Sequence, residues 1–214
     1  MNPIRIRHHR DRLVRNTLLG GSVALASALT MLPIDAGEAA ELAAPPATAT
    51  KSVRLTSEQA RGQYLMSTSG CMDCHTPWKL GEKGPEPDIA RLYSGHPEQL
   101  KMPPAPTLPE GPWVMTAGAT NTAWAGPWGV SFTANLTPDI ETGLGRWSEA
   151  DFIRTIRTGR HMGRGREVLP PMPILVYNHF TDRDLKAIYA YLRTIPPIRN
   201  KVPDPVPPTV QTAR

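Results

Sequence analysis

The sequence predicts an all-α domain with three main helices joined by long loops. Three segments begin with a hydroxyl-bearing residue that can cap a helix, and each continues with apolar residues at helical spacing. The chain between them is rich in proline and glycine and lacks the alternating apolar pattern of strands. No internal repeat is visible in the 214 residues, so a single domain is expected.

The first 54 residues are expected to precede the domain. Five arginines lie within residues 1–16, and 18 uncharged, mostly apolar residues follow. This layout is typical of a signal peptide over residues 1–40, although the apolar run is also long enough to remain as an N-terminal membrane anchor. Residues 41–54, rich in Ala, Pro and Thr, predict a flexible linker. Either alternative places the domain in the periplasm or at the outer face of the cytoplasmic membrane.

The charge of the chain gives no indication of nucleic-acid binding. The formal net charge is +5 over the full sequence, but residues 41–214 contain 19 basic and 16 acidic residues and so carry only +3. Much of the excess positive charge therefore belongs to the N-terminal segment. No zinc-finger, RNP or basic-stripe pattern is present, which argues against a nucleic-acid partner.

The first helix is predicted over residues 57–68. Thr56 and Gln59 have the spacing of a capping box, in which each side chain binds the backbone N–H of the other residue. Ala60, Tyr64 and Leu65 then form an apolar face, and Tyr64 is expected to contact the last helix. The helix leads directly into a cysteine motif.

Residues 76–135 predict a long ordered loop insertion. Eleven prolines lie between Thr76 and Asp139, and no helical or strand periodicity is sustained. The segment also contains four tryptophans, which is too much aromatic surface for a solvated linker. We therefore expect it to pack over an apolar surface. The tryptophans are Trp78, Trp113, Trp124 and Trp128.

Two further helices are predicted in the C-terminal half. One begins after Ser148 and ends at Gly159. The other begins after Thr181 and ends before Pro196, and its apolar residues recur at helical spacing. The domain is thus expected to cover residues 55–198, followed by an extended Pro-rich tail over residues 199–214.

The chemistry of the chain is concentrated in one C-x-x-C-H motif formed by Cys71, Cys74 and His75, which contains both cysteines of the sequence. Thiols three residues apart lie on the same side of a helical turn, where each can form a thioether with one vinyl group of a haem. The adjacent imidazole can then ligate the iron. The motif predicts one covalently bound haem c per chain, with Cys71 and Cys74 as its attachment points and His75 as an iron ligand.

Three other uses of the cysteines are open. A disulfide would close a loop of two residues and stabilise the fold little. A thioredoxin-like redox pair would be expected in a βαβ context, which the sequence does not suggest. A zinc site would need further ligands at finger-like spacing.

A second iron ligand is expected in the C-terminal half. Met172 lies between Pro171 and Pro173, and these prolines restrict the backbone and can hold a thioether on a loop at a set distance. A thioether ligand also raises the reduction potential and closes the iron to small molecules. Met162 and His161 are the alternatives, the latter giving a bis-histidine site.

The chain resembles the class I cytochrome c domains found as electron-transfer subunits of membrane-bound alcohol dehydrogenases and related dehydrogenases. The resemblance covers about residues 55–198. It implies a cytochrome c-like fold around one covalent haem, with His75 and Met172 as axial ligands and redox proteins as partners. Besides the haem motif, the features that carry it are N-L-T-P-D at 135–139, T-G-L-G-R-W at 142–147, Phe152, R-T-G-R at 157–160, P-M-P at 171–173 and Y-A-Y-L at 189–192.

We therefore expect an electron-transfer protein that is not itself an enzyme, which shuttles electrons from a donor dehydrogenase to a respiratory acceptor. The alternative is a peroxidase-like haem enzyme or a gas-binding haem protein, either of which needs a labile sixth ligand. Trp147 is expected to pack rather than to bind a haem propionate. Arg146, Arg157 and Arg160 could either balance the propionates or remain solvated.

Overall fold

The computed structural model describes residues 54–208. The predicted signal peptide or anchor, the predicted linker except its last residue, and the last six residues of the tail lie outside the described residues. Within them, the α-helices are α1 (Ser57–Thr68), α2 (Cys71–His75), α3 (Glu149–Thr158), α4 (Ile174–Tyr177) and α5 (Asp182–Leu192). The strands are β1 (Trp78–Gly81), β2 (Gly84–Pro87), β3 (Thr116–Ala117), β4 (Ala123–Gly126) and β5 (Gly129–Phe132).

The longest three helices, α1, α3 and α5, occupy the predicted positions because their ends are encoded locally. At the start of α1, the Gln59 backbone N–H donates to the Thr56 hydroxyl over 3.2 Å, and the Thr56 N–H donates to the Gln59 side chain over 2.9 Å. Ser148 and Asp151 form a second capping box at the start of α3. Helix α3 ends at Gly159, whose φ of 64° is accessible to glycine at little cost.

The prediction of an all-α fold class is wrong, because the described chain also contains two small antiparallel sheets. Strands β1 and β2 form a hairpin, and β3, β4 and β5 form a three-stranded sheet in that order. All five strands lie within residues 76–135, where the sequence predicted an irregular loop. The fold is therefore a mixture of helices and small sheets.

The sequence did not predict the strands because they are short and several of them contain glycine or proline. Each has two to four residues, which is too short for an alternating pattern to be recognised. Strand β2 contains Pro85 and Pro87, which are tolerated because a two-stranded sheet has only edge strands. Of the four tryptophans of this segment, Trp113 differs from expectation because it is 76% exposed, whereas the other three are half-buried.

The core is built on a close crossing of α1 and α5. Gly62 faces Ala187 across this crossing, and a Cβ atom on residue 62 would lie 1.9 Å from the Ala187 carbonyl oxygen. The missing side chain therefore allows the two backbones to approach. Tyr64, which was expected in this contact, is instead 62% exposed. The buried apolar residues around the crossing are Leu65, Met66, Leu185, Ile188, Tyr191 and Leu192.

Replacing Gly62 with alanine is expected to lower the free energy of unfolding by about 1–3 kcal/mol, because the added methyl group pushes α1 away from α5. The gain in helix propensity, about 1 kcal/mol, offsets part of this cost. Denaturant-induced unfolding of the purified protein measures the change. The exposed neighbour variant Gln63→Ala is the control, with an expected change within about 0.5 kcal/mol. Equal stability of Gly62→Ala and the parent protein would show that the crossing is not tightly packed.

Candidate functional site

A cavity of about 380 Å³ brings the four residues of the predicted haem site to one place. Cys71, Cys74, His75 and Met172 all contribute to its wall. The wall also includes apolar side chains from α3 and α5 and part of the chain between residues 131 and 136. A concave, mostly apolar site with a few polar groups is the usual form of a cofactor site.

The two cysteines are presented by the short helix α2. Gly70 precedes the helix with a φ of 72°, a left-handed conformation that turns the chain from α1 into α2 at little cost for glycine. Both thiols are free and half-buried. Burial raises the pKa of Cys71 to about 11 and also raises the pKa of Cys74, so both thiols are protonated at neutral pH.

His75 is held in a single tautomer by a backbone carbonyl. The ring is 8% exposed, and its Nδ1 lies 2.8 Å from the Ala134 carbonyl oxygen. A carbonyl oxygen cannot donate, so the hydrogen is on Nδ1 and the neutral ring carries its lone pair on Nε2. Burial lowers the pKa of His75, which favours this neutral form. The arrangement is the one that metal-binding histidines commonly show.

Met172 lies on a loop that is tied to the rest of the protein on both sides. The side chain is half-buried and packs against the hydrophobic core. Before it, the Pro170 carbonyl oxygen accepts a hydrogen bond of 2.5 Å from the Ser131 hydroxyl. After it, the Tyr177 backbone N–H donates to the Pro173 carbonyl oxygen over 3.0 Å, and the Tyr177 hydroxyl donates to the Ser69 carbonyl oxygen. The loop thus has a defined position next to the cavity.

The alternative ligands differ in their relation to the cavity. His161 belongs to the described wall, where its ring packs edge-on against Trp147 with ring centroids 4.8 Å apart. Burial and the nearby positive charge of Arg166 lower the pKa of His161. Met162 is not part of this described wall. Trp147 packs against His161 and is also part of the described cavity wall.

Two of the arginines considered as propionate partners bind the protein itself. Arg157 donates to the carbonyl oxygens of Asn178 and Phe180 and forms an ion pair of 2.6 Å with Asp182. Arg160 donates to the Gly165 carbonyl oxygen over 2.9 Å. Both side chains therefore stabilise the loops around α4. Arg146 is exposed.

Sequence analysis missed several residues of the wall. Arg166 and residues 201–205 of the tail line the cavity, as do Ser131 and Phe132 of β5. No local motif marks these residues. They reach the cavity through contacts between segments that are far apart in the sequence.

The tail forms a strap that is fixed by the buried side chain of Asn200. The Asn200 side-chain N–H₂ donates to the carbonyl oxygens of Ser94 and His96 over 2.7 and 2.8 Å. Its side-chain oxygen accepts from the Arg91 guanidinium and from the Glu98 backbone N–H. Farther along, Val206 forms an antiparallel bridge with β5. We call residues 198–208 the strap.

The donor set of the cavity fits a covalent haem. Two neighbouring thiols, an imidazole with a free Nε2 lone pair and a thioether share one apolar wall, and these are the groups that attach and ligate haem iron in c-type cytochromes.

Curated proteins similar to this chain include cytochrome subunits of bacterial dehydrogenases. A nicotinate dehydrogenase subunit of Pseudomonas putida is 40% identical over 87 residues, which cover 41% of this chain and 7% of the relative. The cytochrome c subunit of a quinone alcohol dehydrogenase from Gluconacetobacter polyoxogenes is 32% identical over 147 residues, covering 66% and 25%. The fructose dehydrogenase cytochrome subunit of Gluconobacter japonicus is 27% identical over 135 residues, covering 63% and 21%.

This chain is related to dehydrogenase cytochrome c subunits. The resemblance predicted from the sequence is thereby confirmed, at modest identity. The chain spans a quarter or less of the length of each of these three relatives. No family model matches the sequence. Between residues 54 and 208, no helix is both long and apolar enough to cross a membrane.

The variant Asn200→Ala is expected to lower the free energy of unfolding by about 2–4 kcal/mol, because it leaves the buried carbonyls of Ser94 and His96 without their donor. Chemical denaturation measures the loss. Gln63→Ala, which removes an exposed amide that has no hydrogen-bond partner among the described residues, is the control and is expected to change stability by less than about 0.5 kcal/mol. A similar small change in both variants would show that Asn200 does not anchor the strap.

Proposed function

We propose that this protein is an electron carrier with one covalently bound haem c. The observation that carries the proposal is the convergence of Cys71, Cys74, His75 and Met172 on one apolar cavity. The kinship with dehydrogenase cytochrome c subunits supports the same conclusion. When bound, the haem supplies an iron that changes its oxidation state by one electron.

Cys71 and Cys74 are the proposed attachment points. Each S–H would add across one vinyl group, so a C–S bond forms, the hydrogen passes to the neighbouring carbon and nothing is released. Their position in one helical turn matches two attachment points on a single edge of the ligand. Because the chain has no other cysteines, one haem per chain is proposed. One relative, from Cereibacter sphaeroides, is a diheme cytochrome and differs in this respect.

His75 and Met172 are the proposed iron ligands. The Ala134 carbonyl keeps the proton of His75 on Nδ1 and orients the ring, leaving Nε2 to bind. Met172 lies on a proline-rich loop that is anchored at both ends, which suits a ligand that stays in place. Two protein ligands would leave the iron without an open position, and an electron carrier needs none.

The proposed partners are redox proteins. Three of the relatives are cytochrome subunits of fructose, gluconate and alcohol dehydrogenases, and by analogy a dehydrogenase would donate electrons to this protein. A respiratory component would then accept them. The basic and apolar N-terminal segment supports export, so these partners would be met in the periplasm or at the outer face of the cytoplasmic membrane.

The mature protein purified from a host that attaches haem is expected to have the mass of its polypeptide plus one haem. The double variant Cys71→Ala/Cys74→Ala is expected to lose the covalent haem, since no thioether can form. Intact mass spectrometry under denaturing conditions measures both. The control Met102→Leu, outside the described cavity wall, is expected to retain one haem. A parent protein that carries no haem, or two, would contradict the proposed stoichiometry.

The oxidised protein is expected to show the weak near-infrared band that arises from sulfur-to-iron charge transfer, and Met172→Ala is expected to lose it. Visible and near-infrared spectra of the oxidised and reduced forms test this ligation. Met115→Ala, at a half-exposed methionine outside the described wall, is the control and should keep the band. If the parent protein lacks the band and its reduced form binds carbon monoxide readily, the site is open. The enzyme or gas-binding alternative would then replace the carrier function.

A further inference from the structure

The Ser131 hydroxyl connects strand β5 to the loop that contains Met172. Its oxygen lies 2.5 Å from the Pro170 carbonyl oxygen and 3.5 Å from the Trp124 carbonyl oxygen. A serine hydroxyl has one hydrogen, so the much shorter contact to Pro170 is the donated bond. The Trp128 indole N–H lies 3.3 Å from the same oxygen and donates to it. Ser131 is 7% exposed and Pro170 is exposed, so the bond between them is partly shielded from water.

The loop depends on this bond because its prolines leave few other ways to hold it. Residues 170, 171 and 173 are prolines and have no N–H to donate, so the loop must be held largely through its carbonyl groups. On the C-terminal side of Met172, the Pro173 carbonyl oxygen accepts from the backbone N–H groups of Val176 and Tyr177 in α4. On the N-terminal side, the Ser131 hydroxyl holds the Pro170 carbonyl.

Strand β5, which carries Ser131, is paired with neighbouring segments on both sides. Ser131 pairs with Trp124 of β4 on one side. On the other side, Val130 exchanges two backbone hydrogen bonds of 2.8 and 2.9 Å with Val206 of the strap. The strand is therefore bonded along both edges next to Ser131.

We propose that Ser131 is a positioning residue that keeps Met172 on the iron. The inference rests on the proposed function. It gives the segment of residues 76–135 a role, namely to hold residues 170–173, which we call the methionine loop, in position. Ser131 acts through the Pro170 backbone and does not itself touch the iron.

Competition with an added ligand measures this effect directly. Imidazole in solution binds the oxidised iron only when Met172 is off, so its apparent Kd equals the intrinsic Kd divided by the fraction of protein in that open state. Loss of this partly buried hydrogen bond to the loop is expected to raise that small fraction about three- to tenfold. The apparent Kd for imidazole should fall by the same factor.

The experiment titrates the oxidised holoprotein with imidazole and follows the loss of the near-infrared band. Ser131→Ala is expected to bind imidazole about three- to tenfold more tightly than the parent. Ser94→Ala is the matched control, because Ser94 is fully buried and its hydroxyl has no hydrogen-bond partner among the described residues. Its Kd is expected to stay within about twofold of the parent value. Met172→Ala, which is expected to lack the near-infrared band, is titrated through its visible spectrum and gives the limit for a fully open site.

A second pair of variants isolates the hydroxyl if Ser131→Ala does not accumulate. Ser131→Thr and Ser131→Val have nearly the same shape and both suit a strand, but only the first can donate to Pro170. Ser131→Thr should bind imidazole more weakly than Ser131→Val by about three- to tenfold. This difference would not arise if Ser131 merely filled space.

The outcomes separate this inference from the proposed function. If the parent protein has the band and Ser131→Ala, or the Thr and Val pair, leaves the Kd for imidazole unchanged, Ser131 does not position the loop, although Met172 remains the ligand. If the parent protein lacks the band, both the Met172 ligation and the role of Ser131 are wrong. Tighter imidazole binding in Ser131→Ala but not in Ser94→Ala supports the inference.

Discussion

The architecture depends on satisfying buried backbone groups in a chain with little regular structure. Between α2 and α3 the chain forms only short strands, turns and a short 3-10 helix. Most backbone N–H and C=O groups of this segment therefore need hydrogen-bond partners outside regular secondary structure. Two buried asparagines take over this task. Asn200 binds the backbone of residues 94, 96 and 98, and Asn135 donates to the Ile198 carbonyl oxygen and accepts from the Thr137 N–H. These hydrogen bonds of the two side-chain amides hold the strap against the segment that contributes to the cavity wall.

The same network decides how the cavity is enclosed. Helices α1 and α5 cross closely at Gly62, and α2, which follows α1, carries the cysteines and the histidine. The loop that contains Met172, strand β5 and the strap also contribute to the described wall. A wall of loops can be kept in place only if each loop is bonded to a neighbour, and the bonds of Ser131 and Val130 provide this.

The electrostatics of the site favour uncharged groups. Burial raises the pKa of both cysteines and lowers the pKa of His75, so the thiols and the imidazole are neutral around pH 7. Neutral groups in an apolar wall avoid the cost of buried charge and leave the His75 lone pair available. Charged residues also contribute to the described wall, namely Glu141, Arg166, Lys201 and Asp204. Arg157, outside that wall, is bound to carbonyl groups and to the Asp182 carboxylate.

The sequence by itself determined the features that depend on neighbouring residues. The ends of α1, α3 and α5 follow from hydroxyl caps and from Gly159, and the spacing of Cys71, Cys74 and His75 sets their common helical turn. Tertiary structure alone decided which distant groups meet them. The Ala134 carbonyl reaches His75 across 59 positions, and Ser131 reaches Pro170 across 39. The strands that position these partners have at most four residues, so their pairing depends on long-range contacts and leaves no periodic signal in the sequence.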